Sequence, residues 1–225
     1  MSLLYLLMIA TMLVGVIVQF MLKSRFNSYQ QIRLDSYLTG ADVARKMLKD
    51  HGIYDVNVTE VNGILTDHYD PSAKVIRLSS AVYNGSSIAA AAVAAHECGH
   101  AVQHAKGYLP LQLRSLMVPI VSFANNIVHW ILLLGIVLIN VFPSLIWYGI
   151  ILFAATTVFS VITLPVEINA SYRAISWLKY SNIIIDSRKI NKAKSALRWA
   201  AYTYVISAIG SIVTLLYYIG IANRD

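Results

Sequence analysis

The stretch SLMVPIVSFANNIVHWILLLGIVLINVFPSLIWYGIILFAATTVFSVITLPV, Ser115 to Val166, contains 52 residues and no Asp, Glu, Lys or Arg. At 1.5 Å per residue a helix needs about 20 residues to cross a ~30 Å hydrocarbon core, so this run is long enough for two crossings joined by a turn. Pro143 marks the turn, with Trp147 and Tyr148 suited to a bilayer interface. Working outward, residues 1–22 (MSLLYLLMIATMLVGVIVQFML) are also free of charge, lack a basic leader and a small-residue cleavage site, and read as a retained anchor. Residues 199–222 form a fourth apolar run. The whole chain agrees: 225 residues are 57% hydrophobic and 13% charged, with a mean hydropathy of +0.61, whereas an ordinary soluble domain is about 25% charged. Disorder, collagen-like repeats and a disulfide scaffold are excluded, since Pro and Gly are few and Cys98 is the single cysteine. The expected architecture is a mainly α membrane protein with four transmembrane helices and a small α+β portion.

The net charge of +7 is resolved by position. Ten Lys or Arg lie between Lys23 and Arg114, and seven between Arg173 and Arg198, leaving only Arg224 in the C-terminal tail. Because Lys and Arg are retained on the cytoplasmic side, both polar segments are expected there and both termini outside. The excess of bases is thus a topology signal, and no nucleic-acid partner is expected. The partner this map implies is the lipid bilayer. The resulting division is a first transmembrane helix over 1–22, a cytoplasmic segment over 23–115, transmembrane helices 2 and 3 over 116–166, a cytoplasmic helical segment over 167–198, and transmembrane helix 4 over 199–222.

Within 23–115, Thr39 with Asp42 three residues on predicts a capped helix over about 39–51, ended by Gly52. Residues 53–61 alternate apolar and polar, and KVIRLS (74–79) reads as a second strand, giving a two- or three-stranded sheet. Its KVIRLS strand could receive an extended peptide along its edge. Ser86 or Ser87 then opens an Ala-rich helix over 86–106, closed by Gly107.

That helix carries His96-Glu97-Cys98-Gly99-His100, an H-E-x-x-H pattern whose expected chance count in a chain of this composition is about 0.002. Residues four apart share a helical face, so both imidazoles can converge on one Zn²⁺, while Glu97 can take a proton from water acidified by the metal and return it to a leaving amine. Cys98 points away from the His face and reads as packing. Gly99, costly by about 1 kcal/mol inside a helix, predicts close approach by another backbone. His104 lies ~12 Å along the axis from His96 and cannot close on the same ion, which leaves it near the site or lining a cavity. A third protein ligand is needed, and beyond Glu97 only Glu167, Asp186 and Asp225 are acidic. Asp225 falls on the wrong side; Glu167 sits in PVEINASYRA, with small Ala170, Ser171 and Ala174 on its own face, suited to close approach.

LTDHYDPSAKVIRLS, AAHECGHAVQHAKGY and LPVEINASYRA together resemble the YugP-like family of bacterial membrane zinc metallopeptidases, more distantly similar to the HtpX and Ste24 proteases, over nearly the whole chain. The resemblance implies a zincin-like cytoplasmic domain and a gluzincin site, with His96, His100 and Glu167 as metal ligands, Glu97 as the catalytic base and Zn²⁺ as cofactor. It implies a multi-pass protein of the bacterial inner membrane, its active site facing the cytoplasm, acting on membrane or membrane-proximal proteins. The chain departs from those patterns where they carry acids, having Ser171 four residues after Glu167, and Asn169, so the group that orients a ligand imidazole is left open. Arg173, Tyr172 and His104 are candidates to meet the oxyanion. His129, inside the second span, is either functional or a neutral His bonded to a neighbour. Two other readings stand beside the endopeptidase: a site-2-type intramembrane protease, against which no Leu-Asp-Gly occurs, and a non-catalytic scaffold with a closed four-ligand zinc, for which Asp186 or His104 would have to join the metal.

Overall fold

The computed structural model describes residues 3–223. The chain is mostly helical: α1 (Leu3–Gln30), α2 (Gly40–Asp50), β1 (Asn57–Val61), β2 (His68–Asp70), β3 (Val75–Ser79), α3 (Ser80–Tyr83), α4 (Ile88–Ala105), α5 (Leu109–Val137), α6 (Ser144–Tyr180) and α7 (Ser187–Ala222). Four of these, α1, α5, α6 and α7, are long and apolar enough to cross a membrane. Contacts divide the chain into two compact units, one of residues 1–18, 112–165 and 203–225, the other of residues 19–111 and 166–202.

The first unit is apolar. Val128 and Leu132 of α5 and Ile146 and Ile150 of α6 are buried together, joined by Leu215, Tyr218 and Ile219 of α7. A Cβ on Gly135 would lie 2.7 Å from the Ile146 Cα, so these two helices meet nearly backbone to backbone. Pro143 precedes the first residue of α6, as its fixed φ and missing N–H suit it to do. Trp147 and Tyr148 are exposed.

The second unit carries the polar sequence. Thr39 caps α2 through a full capping box: its hydroxyl accepts the Asp42 N–H at 3.2 Å, and Asp42 Oδ2 accepts the Thr39 N–H at 3.1 Å. The sheet has three strands in the order β1-β3-β2, with β1 parallel and β2 antiparallel to β3. The KVIRLS strand therefore lies in the centre, hydrogen-bonded on both edges, and cannot accept a peptide by edge addition. The Gly/Asp/Pro-rich connection between the two expected strands contains β2, whose turn into β3 is held by Asp70 Oδ1 accepting the Ser72 and Ala73 N–H groups, each at 3.0 Å.

The core of this unit is built around α4. Ala89, Ala90, Ala91, Ala92, Ala94 and Ala95 are all fully buried, as are Met47 of α2, Ile76 and Leu78 of β3, and Ala174 and Leu178 of α6. Methyl-sized side chains let neighbouring elements approach on nearly every side of α4, which explains why an Ala-rich helix is central here. Ser87 caps its start, the hydroxyl accepting the Ala90 N–H at 3.1 Å. Its end is a Schellman motif: Gly107 takes φ +61°, its N–H reaches the His104 carbonyl at 3.1 Å, and the Tyr108 N–H reaches the Gln103 carbonyl at 2.9 Å.

Candidate metal centre

His96 and His100 occupy one face of α4, with ring centroids 4.8 Å apart and planes at 85°. Glu167 faces them from α6, two residues past Pro165, and is only 2% exposed. The closeness of the two helices is set by small residues. A Cβ on Gly99 would lie 2.7 Å from the Ala170 carbonyl oxygen and 3.0 Å from its Cα, closer than real Cβ atoms come. Ala170 and Ala174, on the Glu167 face of α6, are fully buried.

One donor atom each from His96, His100 and Glu167 lies within 4.8 Å of the others. Glu167 Oε2 is 3.2 Å from His96 Nε2 and 3.6 Å from His100 Nε2. Ligand atoms 2.0–2.1 Å from a tetrahedral zinc are about 3.3 Å apart, so the two carboxylate–imidazole distances match that ion. The donor chemistry fits too, two imidazole nitrogens and one carboxylate oxygen, with His100 and Glu167 buried and His96 half-buried. A tetrahedral zinc held by these three donors alone would keep one position for a further ligand. Burial pushes the His100 pKa down, but the hydrogen bond and charge of Glu167 outweigh it and hold the pKa above its usual value.

Both imidazoles are oriented through their other nitrogen. His96 Nδ1 lies 3.1 Å from Ser171 Oγ, and His100 Nδ1 lies 3.0 Å from Gln103 Oε1. When each Nδ1–H donates to these oxygens, each Nε2 presents its lone pair to the Glu167 side. Gln103 is fully buried, and its amide donates to the Val166 carbonyl at 2.8 Å and to Asn169 Oδ1 at 3.0 Å. Asn169 Oδ1 also accepts Arg173 Nε at 2.7 Å. The two positions that depart from the resembled patterns thus both sit in the network behind the imidazoles. Gln103 was missed from sequence; its signal was its place three residues after His100, one turn on and over the same face.

Glu97 lies beside His96 on α4 and is 8% exposed. Cys98 donates to the Ala44 carbonyl at 3.4 Å, away from the His pair, and burial pushes its thiol pKa up. His104 stands apart from the cluster: its Nδ1 meets the Tyr69 hydroxyl at 2.8 Å, and both line a 220 Å³ cavity with Asp55 and Lys74. Burial first, then the charges of Asp55 and Asp70, push the Tyr69 hydroxyl up to about 12. Asp186 accepts the Arg188 N–H at 2.8 Å, so among the described residues neither His104 nor Asp186 makes a fourth donor. Tyr172 is 71% exposed, and Arg173 is tied to Asn169. His129 is exposed on α5, in the other unit. Asp225 falls outside the described residues.

A chain with four long apolar helices and a largely buried His/His/Glu cluster defines a class, membrane proteins equipped to hold a divalent transition metal. More particularly, the chain belongs to the family described as "Putative neutral zinc metallopeptidase", which residues 4–223 match. It is also 45% identical over 203 residues to the "Putative membrane protease YugP" of Bacillus subtilis (strain 168), covering 89% of this chain and 88% of that one. No solved structure gave a significant match.

Proposed function

We propose that the chain is a zinc-dependent endopeptidase in which His96, His100 and Glu167 hold the metal and Glu97 is the general base. The observation that carries this is the convergence of the three donors within 4.8 Å, with Glu97 next to His96 on the same helix. When bound, zinc supplies Lewis acidity, bringing the pKa of water to near ~7 and polarising a carbonyl. The Glu97 carboxylate then accepts a proton from the water that attacks the scissile carbonyl, and returns it to the amide nitrogen as the C–N bond breaks. Gln103 Oε1, which can only accept, holds His100 in the tautomer that leaves Nε2 free, and Ser171 Oγ can accept from His96 Nδ1 in the same way.

The substrates are membrane or membrane-proximal proteins, because four apolar helices confine the site to the neighbourhood of a bilayer. The site faces the cytoplasm and both termini face outward across a bacterial inner membrane, following the distribution of Lys and Arg. The test is purified full-length protein compared with Glu97→Gln for bound zinc and for cleavage of membrane proteins. One zinc per chain in both, with cleavage slowed at least about 10²-fold in the variant, is expected. Unchanged cleavage by Glu97→Gln, or no stoichiometric zinc, overturns the proposal.

A further inference from the structure

In the apolar stretch of α5 from Val118 to Val137, the polar side chains are Ser122, Asn125, Asn126 and His129. At 100° per residue these four fall within an arc of about 100°, and all four are exposed. The packed face of the same helix is Val121, Ala124, Val128 and Leu132, all buried. Several hydroxyls elsewhere in the apolar unit are satisfied within it. Thr156 and Thr157 both donate to the Phe153 carbonyl, Thr163 donates to the Phe159 carbonyl, and Ser160 donates to the Thr157 carbonyl and meets Ser211 of α7. Among the described residues the four side chains on α5 have no such partner. Two amides and an imidazole turned toward acyl chains would each lose hydrogen bonds that hydrocarbon cannot replace. Lipid is therefore the wrong neighbour for this face.

We propose that this stripe is the surface through which two copies of the chain pair within the membrane. The occupant follows from the chemistry of the stripe. It carries no acid and no Lys or Arg, so it can face its own copy without like-charge repulsion. Asn and neutral His each hold both a donor and an acceptor, so a two-fold axis running past Ser122 and Asn126 lets each amide bond the equivalent group opposite. Exposed Phe123, Trp130 and Leu133 flank the stripe and give the polar centre an apolar rim. The inference rests on α5 crossing a bilayer and not on the zinc reading.

The test uses the full chain in lipid vesicles. Cys98 is buried, so an introduced thiol is the reactive one. Ser122→Cys is expected to oxidise to a disulfide-linked dimer, while Leu134→Cys, exposed but more than 100° around the helix, stays monomeric. With donor- and acceptor-labelled protein, energy transfer should persist on dilution in lipid, and Asn125→Leu with Asn126→Leu should weaken dimerisation about three- to tenfold per interhelical hydrogen bond lost. Those leucines suit a lipid-facing site, and an unchanged thermal transition shows that the variant has folded. The proposal is overturned if Ser122→Cys stays monomeric, if Leu134→Cys cross-links equally well, or if a membrane-impermeant maleimide labels Ser122→Cys, which would make the stripe the wall of a water-filled path.

Discussion

Gly99→Ala isolates what the contact between α4 and α6 does. The added Cβ would sit 2.7 Å from the Ala170 carbonyl oxygen, against ordinary contact at 3.4 Å, so the helices must part by ~0.7 Å. Every near atom belongs to the Ala170 backbone, and no side chain can rotate away. Two effects then oppose each other: Ala improves helix propensity by about 1 kcal/mol, while overpacking a core costs about 1–3 kcal/mol. Net stability is expected to fall by up to about 2 kcal/mol. The larger consequence is at Glu167, one turn from Ala170, whose Oε2 now lies 3.2 Å from His96 Nε2. Withdrawing that carboxylate by most of an ångström should weaken zinc binding by about 10-fold or more. Competition with a chromophoric chelator measures the affinity, and thermal unfolding in detergent the stability. A variant that melts higher, as propensity alone requires, and binds zinc like the wild type would refute the reasoning.

Ser171→Ala removes the oxygen facing His96 Nδ1, and zinc affinity should drop about 10-fold with little loss of fold, read by the same chelator titration. Gln103→Leu removes the amide partner of the Val166 carbonyl and of the buried His100 ring, and one of the two donors to Asn169 Oδ1, which should cost about 1–3 kcal/mol in thermal stability, whereas a surface change such as Lys194→Gln should cost under about 0.5. The hydrogen bond from Thr39, first, and the Arg45 charge hold the Asp42 pKa below 3.8. Its contribution is therefore full above that value and lost as pH falls through the folded pKa, and Asp42→Ala should remove about 1 kcal/mol at pH 7 and progressively less as the pH is lowered through that folded pKa.

The four long apolar helices were legible because a charge-free apolar run of about 20 residues has the length and composition that a bilayer crossing needs. The His pair was legible because helical period fixes which residues share a face, and Glu167 because so few acids follow residue 97. Gly99 announced itself as an unfavourable residue in a helix interior, and the structure supplies the reason in Ala170. The strand order was not legible. Three strands of three to five residues in a polar segment carry no signal for which is central, and β2 was hidden by turn-forming neighbours. Gln103 escaped for a different reason: a neutral amide becomes informative only when its partners, 63 and 66 residues away along the chain, are in view.

The third donor is separated from the first by 71 residues, and the intervening chain includes α5 and the apolar start of α6. During synthesis the histidines are made first, and the carboxylate arrives only after that long hydrophobic hairpin has left the ribosome. A nascent protein whose hairpin has not yet found the bilayer holds two of three donors and should retain zinc weakly. Chelator competition on ribosome-bound chains ending before and after Glu167 would measure this, and equal zinc retention would sink the idea. On this account the three-donor cluster is completed only once the hairpin between its histidines and its carboxylate has been made.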